Sequence, residues 1–332
     1  MTVPGKGRAA TRPILAALVA TLVLIGCTQD GADSRDAGFR VGLVVPGPIS
    51  DGGWNASAFE GLQQIRATLG AEVSHVQAGT PAAFEAAFRD YATRGFDLVI
   101  GHGFEFQDPA MQIAPSFPRT NFLVVSGGVH RENVGSLQFR LSEATYLAGM
   151  LAAGVSRTGK AGTVGGLALP VIAETFDGFR EGARAEKANF AVATTYIGSF
   201  EDVAAARAAA DALIAQGADV LFHNADAAGL GVFESARTAG VLAIGSNRDQ
   251  NSVAPDTVLA SAVASIPEAF VSIARTVQEG HFVDRVIIED LASGKVRLVL
   301  NPRLESRIPP ELKKDLARAE EAIRTGNLRV AP

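Results

Sequence analysis

The strongest constraint on this chain is an internal duplication. Near the start, "FRVGLVVPGPISDGGWNASAFEGLQQIRA" is typical of a β-strand, a glycine-rich turn and an amphipathic helix. About 120 residues later, "AGTVGGLALPVIAETFDGFREGARAEKA" has the same order, and "RTNFLVVSGG" is matched by "RTAGVLAIGSN" at nearly the same offset. Between them, "ATRGFDLVIGHGFEF" corresponds to "IAQGADVLFHNADAAGLG". Three matches in one order and at one spacing predict two copies of an α/β unit.

Within each half, short runs rich in Val, Ile and Leu alternate with alanine-rich helical stretches, which predicts parallel sheets covered on both faces. A chain of 332 residues also exceeds the usual size of a single core. We therefore predict two doubly wound lobes facing one another across a cleft. Ligands of such sheets lie beyond the carboxyl ends of the strands.

Three segments are candidates for crossings between the lobes: "SLQFRLSEATYLAG", "GSNRDQNSV" and "LASGKVRLVLNP". The resulting assignment is 39–142 with 250–292 for lobe I, and 143–249 with 293–332 for lobe II.

The amino terminus predicts export. Lys6, Arg8 and Arg12 precede an apolar segment over 13–25, which is too short to cross a bilayer but suits a signal peptide over residues 1–26. "LIGC" ends at Cys27, the only cysteine, and resembles the lipobox of bacterial lipoproteins. An ordinary secretory peptide with an incidental cysteine is the alternative. Residues 27–38 then form a lipidated cysteine and a flexible polar tether.

The charge of the chain argues against nucleic acid as a partner. Residues 1–26 hold three of the 30 basic residues and none of the 35 acidic ones, so the remainder has a net charge of −8. The five histidines are scattered, and no G-x-S-x-G nucleophile motif occurs. We predict that the chain is not an enzyme and has no metal or other cofactor.

Binding residues are better supported. Trp54, the only tryptophan, follows a glycine-rich turn at a predicted strand end, where a flat ring can stack on a planar ligand. Asn55 next to it either caps the following helix or offers its amide to a ligand, and the two roles are compatible. Asp51 belongs to the same turn. A core position is the alternative for Trp54.

Other candidates lie at later strand ends. Phe104 and Asp108 fall in "GHGFEFQD", where Asp108 can accept hydrogen bonds from ring N–H groups or cap a helix. Phe176 in the second half either faces the cleft or packs its helix. His102 and His223 occupy matching places in the two halves and are candidates for lining the cleft, although satisfied polar groups at strand ends are the more ordinary interpretation.

These residues resemble a known family. "DGGWNASAFEGL" is similar to the D-x-S-F-N-x-x-x-x-x-G-L motif of the basic membrane protein family, and "FRLSEATYLAG" to its F-R-x-x-E-x-x-Y-L-A-G motif. The likeness covers nearly the whole chain after the leader. Its members are substrate-binding lipoproteins of ABC importers and include purine-nucleoside receptors. The resemblance implies a type I periplasmic-binding-protein fold with three crossing segments, a monomer, a membrane permease as partner, and a base stacked at Trp54 with Asn55 and Asp108 in support.

Departures from the family pattern bear on the ligand. Asn247 stands where nucleoside-binding members have an aspartate, and Ala264 where they have a lysine, so a ribose diol loses both partners. "NADAAGLG" replaces a glycine-rich loop and puts Asn224 and Asp226 toward the ligand. The resemblance therefore implies a planar heteroaromatic ligand, a purine nucleobase or nucleoside-like compound. A flavin or another heterocycle is the alternative ligand, and a sensing module for a membrane signalling partner is the alternative role.

Overall fold

The computed structural model describes residues 1–2, 38–282 and 284–331. The predicted signal peptide, Cys27 and the tether lie outside these residues, apart from positions 1, 2 and 38. No helix in the described part of the chain has both the length and the apolarity needed to cross a membrane.

Strands and helices alternate along the folded body. In chain order, the elements up to the first crossing are β1 Arg40–Val45, α1 Trp54–Leu69, β2 Glu72–Gln77, α2 Pro81–Thr93, β3 Leu98–His102, α3 Gln107–Ile113, β4 Asn121–Val125 and β5 Val134–Phe139. The next are α4 Leu141–Val155, β6 Lys160–Gly165, α5 Pro170–Glu186, β7 Ala191–Tyr196, α6 Val203–Ala215, β8 Val220–Asn224, α7 Gly229–Ala239, β9 Leu242–Asn247 and β10 Val258–Ala264. The last are α8 Ile266–Gln278, β11 Val286–Glu289, β12 Val296–Leu300 and α9 Pro310–Arg324.

The strands form two six-stranded sheets. The first has the order β11-β5-β4-β3-β1-β2 and is parallel throughout. The second has the order β12-β10-β9-β8-β6-β7, and only β12 pairs antiparallel. Their central strands are buried along their whole length, as expected when helices cover both faces of a sheet. The predicted α/β class with two doubly wound lobes is confirmed.

The chain passes between the sheets after β5, after β10 and after β11. The crossings lie side by side: the Arg140 N–H donates to the Glu289 carbonyl (2.9 Å), and the Ser265 N–H donates to the Lys295 carbonyl (2.7 Å). The middle crossing differs from the one expected near "GSNRDQNSV". Segment 250–264 was assigned to lobe I, but β10 hydrogen-bonds to β9 in the second sheet, so the chain leaves that sheet only at Ser265.

The two sheets match residue by residue. Val41 pairs with Leu98 in the first sheet as Ala161 pairs with Val220 in the second. Likewise, the Asn121 N–H donates to the Asp97 carbonyl as the Leu242 N–H donates to that of Asp219. Counting along β3 and β8, and along β4 and β9, gives three equivalent pairs at the strand ends: His102 with Asn224, Phe104 with Asp226, and Ser126 with Asn247.

Helix packing fixes the position of α5 in the second lobe. Gly149 of α4 and Gly182 of α5 bring the two helices together, because a Cβ on either residue would collide with backbone of the other helix, at the Phe179 or the Tyr146 carbonyl oxygen. The close approach holds the amino-terminal half of α5 at the carboxyl edge of the sheet.

Candidate ligand-binding site

A cavity of about 610 Å³ lies where the carboxyl ends of both sheets meet. Its size falls in the range of small-molecule sites. Residues of both halves line it, and seven of the nine residues predicted as ligand-binding are among them: Asp51, Trp54, Asn55, Phe104, Asn224, Asp226 and Asn247.

Asp51 organises the turn that opens onto the cavity. One carboxylate oxygen accepts from the backbone N–H groups of Gly53 and Ala56 (both 2.9 Å), and the other accepts from the Asn55 backbone N–H (2.8 Å). These are the groups that the first turn of α1 leaves without helical partners. Asp51 therefore caps α1, and of the two roles predicted for Asn55 the helix cap is wrong, because Asn55 already lies inside the helix.

The Asn55 side chain has one fixed orientation. Its Nδ2 donates to the Asp51 carboxylate at 2.9 Å. A carboxylate can only accept, so the amide oxygen must point the other way. That Oδ1 is buried and accepts no hydrogen bond from the described protein atoms. Asn55 as a whole is only 7% exposed and lines the cavity.

Trp54 forms a stacked pair with His102. The ring centroids are 4.2 Å apart with the planes 23° from parallel, and the His102 Nε2–H donates to the Trp54 carbonyl oxygen (3.1 Å). Burial lowers the pKa of His102 to about 3, so the ring is neutral at physiological pH. His102 does not line the cavity but supports the indole that does.

The second half contributes a hydrogen-bonded polar cluster, which consists of Asn224, Asp226 and Asn247. The Asn247 Nδ2 donates to the Asn224 Oδ1 (3.3 Å) and to the Asp226 Oδ1 (3.1 Å), and the Asn224 Nδ2 donates to the Thr175 hydroxyl (3.3 Å). Asp226 and Asn247 have φ of +45° and +66°, left-handed conformations that asparagine and aspartate tolerate best after glycine.

Asp226 reaches across the cavity to the other lobe. Its Oδ1 accepts from the Trp54 backbone N–H (3.2 Å), and Gly53 permits the approach because a Cβ there would lie 2.7 Å from the same oxygen. Burial first, and then the nearby Asp51 carboxylate, raise the pKa of Asp226 to about 7, although the bonds from Trp54 and Asn247 act in the opposite direction. Two carboxylates thus share the positive end of α1.

Two predicted residues lie elsewhere. Asp108 is exposed in the first turn of α3 and does not line the cavity. Phe176 is only 1% exposed and packs edge-on against Phe222 inside the second lobe, so of its two predicted roles it has the packing one. Its neighbour Thr175 lines the cavity instead, because adjacent helical residues point in different directions.

His102 and His223 are not equivalent, contrary to expectation. The sheet register pairs His102 with Asn224, so His223 lies one residue earlier and on the opposite face of its strand. There it packs edge-on against Phe233, and burial lowers its pKa to about 4. Neither ring nitrogen makes a hydrogen bond of normal geometry, although Gln250 is close enough to favour the protonated form slightly. His223 does not line the cavity.

Sequence reasoning missed several lining residues, among them Glu105, Ser126, Gln138, Arg140, Glu174 and Glu201. Ser126 could have been found, since it is the first-half equivalent of Asn247 and shares its positive φ (+59°). Within the described residues, no group of three or more His, Cys, Asp or Glu side chains could hold a metal ion.

Two facing α/β lobes with a ligand-sized cavity between them define the class of bilobal solute-binding proteins. A solved ABC-transporter solute-binding protein from Aeropyrum pernix has the same fold, with a TM-score of 0.81 at 21% identity over 88% of this chain and 92% of that one. The chain belongs to the family of PnrA-like ABC transporter substrate-binding proteins, whose model matches residues 39–326. That role is a non-enzymatic one, which confirms the family prediction and the prediction that the chain is not an enzyme.

Curated relatives agree with this family. Basic membrane protein D of Borreliella burgdorferi is 28% identical over 93% of this chain and 92% of its own length. The ABC transporter nucleoside-binding protein BmpA of Lactococcus lactis is 28% identical over 95% and 96%, respectively. A purine-binding protein of Brucella abortus is 26% identical over 91% and 86%. A solved transcriptional activator of the comK gene from Bacillus halodurans is 26% identical over 87% of this chain and 99% of that one, with a TM-score of 0.77.

Proposed function

We propose that this protein captures a planar heteroaromatic compound, a purine nucleobase or nucleoside-like molecule, in the cavity between its lobes and delivers it to an ABC permease. The observation that carries the proposal is the half-buried Trp54 indole in the cavity wall, held in place by His102. A flat, rigid aromatic surface binds a flat ring by stacking, which contributes roughly 1–3 kcal/mol in comparable sites. The relatives named for nucleoside and purine binding support the same ligand class.

Closure of the lobes would complete the site. Asp226 bridges to α1 from the second lobe, and Arg248 of that lobe pairs with Glu60 on α1 (3.5 Å). Hinge closure about short connecting segments is the usual motion of such proteins. In this proposal the ligand binds an open form, and the closed form is what the permease recognises.

The two positions that hold ribose in nucleoside-binding family members, here Asn247 and Ala264, favour a base over a nucleoside as the ligand. Asn247 uses its amide nitrogen within the polar cluster, and Ala264 lines the cavity without a polar group. Neither offers the charged pair that would hold a sugar diol.

The cellular setting of the proposal follows from the amino-terminal sequence. A signal peptide over 1–26 and lipidation at Cys27 would tether a monomer to the outer face of the cell membrane, where a substrate-binding protein meets its permease. Radiolabelled palmitate incorporation into the wild-type chain but not into Cys27→Ala would support the anchor, and equal incorporation would exclude it.

A sensing role is the second candidate. A protein of similar fold was solved as a transcriptional activator of the comK gene. This favours keeping a role other than transport as an alternative. Deleting the gene would separate the two roles, because an importer component is needed for uptake of the labelled ligand, whereas a sensor alters a response and leaves uptake unchanged.

The ligand class is tested by thermal shift of the full chain against purine and pyrimidine bases, their nucleosides, and flavins, since a ligand that binds only the folded state raises its stability. Stabilisation by bases but not ribonucleosides is the expected result. Stabilisation by ribonucleosides would show that Asn247 and Ala264 do not exclude a sugar, and no stabilisation by any compound would reject the ligand class.

A further inference from the structure

We infer that the cavity selects its ligand through hydrogen-bond donors on the ligand, so that an amino-substituted or protonated nitrogen heterocycle binds in preference to an oxo-substituted or anionic one. The inference rests on the proposed function of the same cavity. It adds that the ligand edge in contact with the protein donates hydrogen bonds rather than accepting them. Three observations carry it: a fixed acceptor, the use of amide donors inside the protein, and the charge of the lining.

The fixed acceptor is the Asn55 Oδ1. Because Asp51 already accepts from the Asn55 Nδ2, the amide cannot turn over to offer a donor to the cavity without placing its oxygen against a carboxylate. The side chain is more than nine-tenths buried, and its oxygen has no protein partner. An N–H or O–H of a ligand that reaches this oxygen would satisfy it, whereas an acceptor at the same place would leave it unpaired.

The other amide groups of the lining spend donors on partners inside the protein. The Asn247 Nδ2 donates both to Asn224 and to Asp226, the Asn224 Nδ2 donates to Thr175, and the Gln138 Nε2 donates to the Gly127 carbonyl (2.8 Å). Both N–H groups of Asn247 are therefore engaged within the protein, and Asn224 and Gln138 each use one of their two. The serine hydroxyls of the lining can donate or accept, so they do not oppose a donor-rich ligand.

The charged groups of the lining also favour a ligand that donates hydrogen bonds. Five carboxylates line the cavity among the described residues. Asp51 and Asp226 accept hydrogen bonds from the start of α1, and the other three are Glu105, Glu174 and Glu201. Burial raises the pKa of Glu105 and of Glu174, and the nearby Asp177 carboxylate raises that of Glu174 further. The one guanidinium among the lining residues, Arg140, is 54% exposed and faces Asp290 at 3.8 Å.

A ligand edge that carries an exocyclic NH₂ or a protonated ring nitrogen would thus meet acceptors and negative charge. A carbonyl at the same place would face the Asn55 oxygen or a carboxylate with no hydrogen between them. Leaving a buried acceptor unpaired weakens binding by about ten- to a hundredfold.

The test compares ligands of one shape and different edges by calorimetric titration of the full chain: 2,6-diaminopurine, adenine, hypoxanthine and xanthine. We expect affinity to fall in that order, with diaminopurine about ten- to a hundredfold tighter than xanthine. Xanthine binding as tightly as diaminopurine would overturn the inference and leave the proposed function standing.

Three further compounds separate the inference from the proposed function. Benzamidine and putrescine are donor-rich cations that are not purines, and benzoate is an anionic ring of similar size to benzamidine. If no heterocycle binds but benzamidine or putrescine does, the proposed ligand class fails and the donor inference stands. If none of the compounds binds, or benzoate binds more tightly than benzamidine, the inference fails.

Variants locate the preference in the cavity. Glu105→Gln and Glu174→Gln each keep the side-chain shape and add a donor, so each should narrow the ratio of diaminopurine to xanthine affinity by about threefold or more. Glu320→Gln, an exposed change on α9, is the matched control and should leave the ratio unchanged. An unchanged ratio in both cavity variants, with folding intact by circular dichroism, would contradict a role for these carboxylates.

Discussion

The two halves of this molecule place equivalent strand ends at one cavity and equip them differently. In the first half, β3 ends at His102, which supports the Trp54 ring; in the second, β8 ends at the equivalent Asn224, which belongs to an amide and carboxylate cluster. Phe104 of the first half likewise corresponds to Asp226 of the second. The duplicated scaffold fixes where side chains reach the cavity, but the chemistry of those side chains differs. The first half supplies an aromatic wall of Trp54 and Phe104, and the second supplies a polar wall of Asn224, Asp226 and Asn247.

This division has a physical advantage. Stacking is strong but tolerant of ring identity, because every heterocycle has an aromatic face. Hydrogen-bonding groups in a buried site discriminate more sharply, since each mismatch leaves a polar group unpaired. An aromatic wall opposite a polar wall therefore combines affinity from stacking with selectivity from hydrogen bonding, to which Asn55 of the first lobe also contributes.

Removing the aromatic wall should have the largest effect. Trp54→Ala is expected to weaken binding of the best purine by roughly 1–3 kcal/mol, about 5- to 150-fold, measured by calorimetry. Trp54→Phe retains a ring and should lose less than half of that free energy. Unchanged affinity in Trp54→Ala would break the comparison, because the first lobe would then contribute no stacking.

The two buried histidines should differ in their effect on stability. His102→Leu loses the hydrogen bond to Trp54 and the stacked ring, so we expect its free energy of unfolding to fall by about 1–2 kcal/mol. His223→Leu loses no hydrogen bond of normal geometry and should change it by less than about 0.5 kcal/mol at neutral pH. Urea denaturation measures both, and equal losses would contradict the different roles of the two rings.

Both histidine variants should also resist acid better than wild type. Burial lowers the pKa of His102 to about 3 and of His223 to about 4, against 6.5 in the unfolded chain. As the pH falls below about 6.5, the unfolded chain binds protons that the folded chain does not, so wild-type stability declines. Denaturation between pH 7 and pH 4 should show a shallower decline in each leucine variant, and a parallel decline would contradict the assigned pKa shifts.

The contribution of Asp226 to folding stability should depend on pH in the opposite direction to that of the histidines. The pKa of Asp226 is raised from 3.8 to about 7, so between these values the folded chain holds a proton that the unfolded chain has released. Stability from this group is complete below about pH 4 and is lost as the pH rises through 7. Asp226→Asn should therefore be more stable than wild type by about 1–2 kcal/mol at pH 8 and gain nothing at pH 4.

The groups that face Asp226 are the Asp51 carboxylate, the Trp54 N–H and the Asn247 amide. Asp108→Asn, on the exposed surface of α3, is the matched control for the change of a carboxylate to an amide. If Asp226→Asn is destabilised equally at pH 4 and pH 8, the carboxylate is charged throughout and acts only as a cap.

The smallest effect is expected at the exposed contact between the lobes. Arg248 and Glu60 form an ion pair at 3.5 Å with side chains 38% and 49% exposed, so Arg248→Ala should weaken ligand binding by less than about 1 kcal/mol, and less still at high salt. Arg303→Ala removes a surface pair that does not join the lobes and should leave binding unchanged. A loss in Arg248→Ala that exceeds the loss in Trp54→Ala would reverse the proposed order.

The duplicated fold was predictable because strand and helix periodicity repeats in both halves. The middle crossing was not, since polar "GSNRDQNSV" has the composition of a linker, whereas here it is a loop between two paired strands. Equivalence of His102 and His223 was judged from position along the sequence, and an error of one residue in a strand reverses the face. The capping role of Asp51 and the isolated carboxylates Glu105 and Glu174 give no local signal, because their roles arise from tertiary contacts.

Intrinsic fluorescence offers the most direct test of the central claim, because Trp54 is the only tryptophan of the chain and lies in the proposed site. The full chain is titrated with adenine while tryptophan emission and calorimetric heat are followed in parallel. A ligand stacked on the indole predicts a saturable change in emission with the same dissociation constant as the heat. Calorimetric binding without any change in tryptophan emission would place the ligand away from Trp54 and contradict the account.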